Sequence, residues 1–394
     1  MNEATRGDLP GEIRSLVDWL VDGARTVHAP QAVLAELCRR LVGAGLPLHR
    51  VAVFVRTLHP NVIGRRFLWR QGAAVEVADR PHGLLEEPSY TDSPIARVFG
   101  GQGTIRRRLA DPGCPNDFGI LEELRAEGVS DYLVQPLAFS NGEIHAVSWT
   151  TTAAGGFSDA DLEALGAIQA PLARLTEVYG LRRVATTLLD TYVGHGAGER
   201  ILQGQIRRGD IERIGAVLLL SDLRGFTAES DRLPGEQVIG LLNAYFDGLV
   251  PAIEAQGGEI LKFIGDGLLA IFPVAADPAR ASAAALAAVA AARTALAEAN
   301  AARQARAEPA LRYGLALHLG EVLYGNVGSA TRLDFTAIGP AVNLTARLET
   351  LARDLGRELV LSAAFAAHCP DAVRSLGRFE LRGFREPQEV FTLR

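Results

Sequence analysis

An α/β protein of two domains joined by a helical segment is the architecture this sequence predicts, on three observations. A chain of 394 residues is long enough for two domains. Strand-like alternation and 3.6-residue helical periodicity occur in both halves, with hairpin turns between strands. Between the halves, residues 161–211 carry a helical period that ends in glycines. The apolar fraction of 48% and charged fraction of 22% are those of a globular chain able to bury a core. A net charge of −6 without a basic stripe disfavours nucleic acid as a partner. The run Arg106-Arg107-Arg108 reads as a solvated face. No apolar run approaches the ~18 residues of a membrane span, and the first residues lack a signal-type apolar region, so a cytoplasmic chain is expected. Cys38, Cys114 and Cys369 show no metal-ligand spacing and read as packing residues in a reducing compartment.

In the first half, residues 12–43 fit two helices. Residues 49–56 alternate as a strand, with a second at 66–69. Two more strands fit 131–139 and 143–150, joined by the turn Ser140-Asn141-Gly142. A helix opens at 157–165 (FSDADLEAL), with Ser158 placed to cap it and acids in its first turn. By that element order and that helix start, this half resembles a GAF-type sensor domain, assigned to residues 1–160. The resemblance implies a small-molecule regulator. Trp69, Tyr90, Trp149 and Arg66 either line its pocket or fill the core.

Along the linker, Leu165, Ile168, Leu172, Leu175 and Tyr179 step by three and four. Such a stripe is either the seam of a short coiled coil pairing two chains or the face of a helix packed on its own domain. Pro171 predicts a kink or a restart. Gly194, Gly196 and Gly198 predict the break, and 200–213 a charged connector.

The second domain, residues 212–394, opens with a buried-type strand at 215–221. A helix follows with Val238, Leu241, Leu242, Tyr245, Phe246, Leu249, Val250 and Ile253 on one face. Gly265-Asp266-Gly267 marks a hairpin turn. Residues 279–307 are helical by alanine propensity. Residues 311–319 and 322–327 read as strands joined by a turn at Gly320-Glu321. A helix at 340–355 starts on proline, and short strands are expected around Leu359, Phe379 and Val390. Strands alternating with crossover helices and hairpins make an α/β sandwich with ferredoxin-like elements.

Lys262 is the only lysine; every other one of the 40 Lys and Arg positions is arginine. A compact point donor retained against that background marks a site with room for one donor aimed at one acceptor. Asp222 follows a strand and precedes a glycine turn and a helix, which sets a carboxylate beside free backbone amides. Asp266 stands at a hairpin tip. Singly each is an ordinary turn residue; converging from adjacent strand ends they suit hard cations carrying phosphate. Asn343 and Arg347, four apart, share one helix face.

The segments 221–227 (SDLRGFT), 262–272 (KFIGDGLLAIF), 325–329 (GNVGS) and 335–349 (FTAIGPAVNLTARLE), in this order, resemble the catalytic domain of class III nucleotidyl cyclases. The resemblance implies Asp222 and Asp266 as ligands of two Mg²⁺ or Mn²⁺ ions, with the Leu223 carbonyl assisting. Gly225, Phe226 and Thr227 would cradle phosphate, Lys262 and Thr336 would read the purine, Asn343 would orient the ribose, and Arg347 would meet the charge growing on the α-phosphate. It further implies a homodimer with sites between two catalytic domains, one supplying carboxylates and the other supplying Lys262, Thr336, Asn343 and Arg347. The reaction implied is in-line attack of the ribose 3′-hydroxyl on the α-phosphate, expelling pyrophosphate. Threonine at 336, where many members carry aspartate, resembles the bicarbonate-responsive branch.

Adenine offers N1 as acceptor and its 6-amino group as donor, matching a lysine and a hydroxyl. Guanine reverses both, at a cost of ~1–3 kcal/mol, or about 5- to 150-fold. ATP is therefore the expected substrate, with GTP or nucleotide binding without turnover as alternatives. Glu321 stands where some members carry a phosphate-binding arginine. No late lysine is present; Arg382 or Arg385 is either its substitute or, as the preferred reading, a surface salt-bridge residue. His318 reads as a core histidine.

Overall fold

The computed structural model describes residues 9–27 and 29–394. The chain divides into two units, Met1–Leu188 and Leu189–Arg394.

In the first unit, α1 (Gly11–Val21) turns Ile13, Leu16, Val17 and Leu20 inward, and α2 (Pro30–Gly43) turns Val33, Leu34, Leu37, Cys38 and Leu41 inward. Both stripes follow the helical period that the sequence shows for this segment. The six strands are β1 (Arg50–Arg56), β2 (Val62–Arg70), β3 (Glu76–Pro81), β4 (Ile105–Arg107), β5 (Asp131–Ala138) and β6 (Ile144–Thr151). They form an antiparallel sheet in the order β3-β2-β1-β6-β5-β4. Strands β3 and β4 and the short helices α3 (Pro88–Thr91), α4 (Pro94–Phe99) and α5 (Ile120–Ala126) add to what the sequence pattern shows. Leu133 and Leu137 face a core shared with α1 and α2, whereas Tyr132 and Val134 face α4 and α5. Strand side chains alternate between faces, so both sides of this sheet are covered. The arginine run is not a solvated face. Arg106 donates to the fully buried Asp131 at 2.6 Å and to the Phe157 carbonyl at 2.8 Å, and Arg107 pairs with Asp117.

Helix α6 (Asp159–Val193) is one 35-residue element that runs through Pro171. Ser158 caps it as expected, its Oγ accepting from the Asp161 amide at 3.2 Å. Leu165, Ile168, Leu172 and Leu175 lie in the core of their own unit, and the Tyr179 hydroxyl donates to the Val27 carbonyl at 3.2 Å. Of the two readings of that stripe, the coiled-coil seam is thus corrected. Burial on both sides of Pro171, at Ile168 and Leu172, keeps the helix continuous past the missing amide, so it does not restart there. A different stripe is exposed: Val178 (56%), Leu181 (60%), Leu188 (38%) and Tyr192 (79%), with Ala185 between them.

In the second unit, α7 (His195–Leu202) precedes β7 (Ile211–Leu223), α8 (Phe226–Arg232), α9 (Gly235–Glu254), β8 (Glu259–Ile264), β9 (Gly267–Pro273) and α10 (Pro278–Ala305). Then come β10 (Tyr313–Gly328), β11 (Leu333–Ile338), α11 (Pro340–Asp354), β12 (Leu359–Ser362), α12 (Ala363–Ala366), β13 (Val373–Phe379) and β14 (Gln388–Leu393). The mixed sheet runs β13-β14-β12-β10-β7-β9-β8 with β11 paired to β10; β10 and β12 form its parallel pair. On one face Val217, Leu219, Leu268 and Ala270 pack with α9 and α10; on the other, Ala216, Leu218 and Leu269 pack with Ala197 and Ala341. By length and a mean hydropathy of 1.2, α10 alone among the described residues is apolar enough to span a membrane; here its Ala285, Ala288, Val289 and Leu296 lie in this core.

Two expectations about glycines are corrected. Gly194, at φ 92°, does end α6, but Gly196 and Gly198 are helical. A Cβ on Gly196 would stand 2.2 Å from the Glu259 carboxylate, so close approach explains it. Likewise there is no turn at Gly320-Glu321: β10 is continuous and pairs with β7 from Tyr313↔Leu223 to Gly325↔Ile211. A side chain at Gly320 would meet the Ala341 Cβ at 2.8 Å, so this glycine makes room for α11.

Candidate active site

The register of β7 on β9 sets Asp222 opposite Gly267, and Asp266 is the residue before it. Gly265, at φ 62°, and Asp266 form the two-residue connection from β8 to β9, a conformation glycine accepts without strain. A Cβ on Gly267 would meet the Ser221 carbonyl at 2.4 Å and the Asp222 carboxylate at 3.3 Å, so only glycine lets the two strands close here. Two aspartates thereby share one end of the sheet.

Their charges are poorly compensated. Burial, and then the carboxylates of Asp266 and Glu349, push the Asp222 carboxyl up to about 6. Its nearest cation is Arg353, at 3.8 Å. Glu349, 6% exposed, is itself shifted up by burial. Like charges held together in a half-buried place fit an added cation. Among the described residues no three His, Cys, Asp or Glu side chains group as metal ligands. The donor set is thus an open one of two aspartates, with the Leu223 carbonyl next in the chain. Hard cations complete such a set with substrate oxygens.

The turn after β7 follows from Gly225, left-handed at φ 76° and positioned as the N-cap of α8, which begins with Phe226 and Thr227. The Arg312 guanidinium would lie 3.2 Å from a Cβ on Gly225, and the Arg224 amide donates to the Arg312 carbonyl at 2.7 Å. Arg312 was not among the residues read from the sequence; its position just before β10, which pairs with β7, is the signal that was available.

Lys262 lies elsewhere in the unit. It sits on β8 after a register shift between Ile260 and Lys262, and its ammonium is ion-paired with Asp334 on β11. Phe335 and Ala337 enter the core, so Asp334 and Thr336 share the opposite face of β11. The Thr336 hydroxyl is buried without a hydrogen-bond partner. On α11, Ala341, Thr345, Leu348 and Ala352 are buried. Asn343 and Arg347 project from the exposed face and make no side-chain hydrogen bond or ion pair among the described residues. Within one chain, no such bond joins the aspartate group to the Lys262–Asp334 group.

Glu321 is exposed and pairs with Arg213 at 3.4 Å. Arg382 and Arg385 are exposed between β13 and β14. His318 is a core histidine, 8% exposed and 2.9 Å from the Ser362 hydroxyl.

The sheet carries two carboxylates at one end and the lysine and threonine edge elsewhere, and sequence comparison places this region in a family. The family described as "Adenylate and Guanylate cyclase catalytic domain" matches residues 210–394. That region is a class III adenylate/guanylate cyclase catalytic domain. The chain is 30% identical over 175 residues to adenylate cyclase 1 of Rhizobium meliloti, covering 44% of this chain and 26% of that protein. It is 31% identical over 161 residues to an adenylate cyclase of Anabaena cylindrica, covering 39% and 31%. It thus spans under a third of either relative. Among solved structures, the adenylyl cyclase CyaB from P. aeruginosa aligns at 27% identity and a TM-score of 0.43, over 47% of this chain and 95% of that one.

Proposed function

We propose that the protein is a cytoplasmic, homodimeric adenylate cyclase that converts ATP to 3′,5′-cyclic AMP and pyrophosphate, regulated by its N-terminal, GAF-like unit. The observation that carries this reading is the Asp222–Asp266 pair, two under-compensated carboxylates held together by strand register. They suit Mg²⁺ or Mn²⁺, two ions per site, which when bound would acidify the 3′-hydroxyl and offset triphosphate charge.

The residues of the chain supply the rest. Lys262 has three N–H donors; Asp334 engages one and leaves others for adenine N1. The unpartnered Thr336 hydroxyl accepts from the 6-amino group. The amides of Gly225, Phe226 and Thr227 and the Arg312 guanidinium receive triphosphate oxygens. Asn343 orients the ribose. As the 3′-oxygen bonds to the α-phosphorus, the bond to the bridging oxygen breaks and pyrophosphate departs, while Arg347 faces the negative charge that develops. The unpaired Asn343 and Arg347 and the unlinked aspartates fit a cleft completed by a second copy.

The test is product analysis of the purified protein with ATP or GTP and Mn²⁺. Cyclic AMP should form, with GTP turned over about 5- to 150-fold less efficiently. Asp222→Ala should abolish turnover. No cyclic product from either nucleotide would refute the reading.

A further inference from the structure

A cavity of about 580 Å³ opens in the first unit between the sheet and α6. Leu34 of α2, Val53 and Val55 of β1, Phe67 of β2, and Leu172 and Leu175 of α6 line it. Val55 and Phe67 are on the core side of their strands yet only partly covered. An apolar interior of this size is a ligand-sized space rather than a packing gap.

The mouth is charged. Arg65 holds Asp79 by two hydrogen bonds, at 2.5 and 2.9 Å, and keeps that carboxyl below its usual range. The Arg56 guanidinium is stacked 4.6 Å from the centre of the Phe99 ring. The surplus cation is Arg183, which makes no hydrogen bond or ion pair among the described residues and acts on Asp79 only through space. One free guanidinium over an apolar chamber matches one carboxylate on an apolar body.

We propose that this cavity binds a small amphipathic carboxylate, with its hydrocarbon part between the sheet and α6 and its head at Arg183. The site has a second consequence, which rests on the cyclase reading. Leu172, Leu175 and Arg183 face the cavity, whereas Val178, Leu181 and Leu188 face outward from the same helix. An occupant therefore braces α6 directly behind its exposed stripe, and the carboxylate would act as an effector of the enzyme.

Octanoate is the probe, with 1-octanol as its uncharged counterpart and acetate as the head alone, titrated into the full chain by calorimetry. Octanoate should bind with a negative heat-capacity change, and the other two about ten-fold or more weakly. Arg183→Gln should weaken octanoate by about ten-fold and leave octanol unchanged. Val77→Trp fills the mouth from a position already 44% exposed, where folding tolerates it, and should block octanoate and octanol alike. Absence of octanoate binding, or binding unaltered in both variants, overturns the site. Cyclic AMP formation that changes with octanoate in the parent and not in Val77→Trp supports the effector role. Octanoate binding with unchanged turnover refutes that role and leaves the site standing.

Discussion

Lys262 and Asp334 pair across β8 and β11, with side chains 31% and 58% exposed. An ion pair that wet contributes little to folding, under about 1 kcal/mol. Its value is orientation: an ammonium tethered at one hydrogen points the others at one place. Asp334→Asn should leave the melting temperature within error while raising KM for ATP several-fold and lowering the ATP-to-GTP preference. Lys262→Gln should lower kcat/KM for ATP by about 10-fold or more, the loss of a charge-assisted hydrogen bond. An unchanged nucleotide preference in both variants would remove these residues from base reading. His318 makes a different prediction. Burial depresses its pKa to about 4, so the folded protein keeps it neutral while the unfolded chain takes up a proton below about 6.5. Stability is therefore complete above pH ~6.5 and lost as pH falls toward 4, by ~3 kcal/mol for this group. Melting curves of His318→Gln should show a flatter pH dependence across that window than the parent.

At the scale of elements, α6 separates two uses of one helix. The stripe from Leu165 to Leu175 belongs to its own unit's core, while Val178, Leu181, Ala185, Leu188 and Tyr192 advance by three and four on the outside. That heptad spacing fits the same helix of a second copy. Leu181→Lys with Leu188→Lys, both at exposed positions, should leave the helical signal intact, shift sedimentation from dimer to monomer, and reduce cyclase activity by at least about ten-fold. The sequence showed the period but not its phase, because both stripes have the same spacing and only burial tells them apart. Where an element is strongly apolar, on one face as in α9 or on both as in β7, the pattern is readable. Strands β3 and β4 were not: β3 carries Glu76, Asp79 and Arg80 at a sheet edge and β4 has three residues. Glycine misled at 196 and 320, where it admits a neighbour instead of turning the chain. Within the candidate site, Asp222, Asp266, Asn343 and Arg347 announced themselves by motif. Asp334 and Arg312 did not, since an aspartate or arginine beside a strand is unremarkable until pairing shows what it faces.

Over the whole molecule, the proposed homodimer assigns the paired aspartates of a cleft to one chain and its Asn343 and Arg347, which are unpaired among the described residues, to the other. Mixing two inactive variants tests this. Asp222→Ala and Arg347→Ala, unfolded together and refolded at equal amounts, should regain about a quarter of parental turnover, since half the dimers are hybrids and each hybrid has one intact cleft. No recovery would mean each chain works alone. The solitary lysine also gives the molecule a chemical handle. An amine-directed reagent finds one side-chain target in 394 residues, at the edge proposed to read the base. A fluorophore or cross-linker attached there needs no mutagenesis, and ATP should shield that position from acylation.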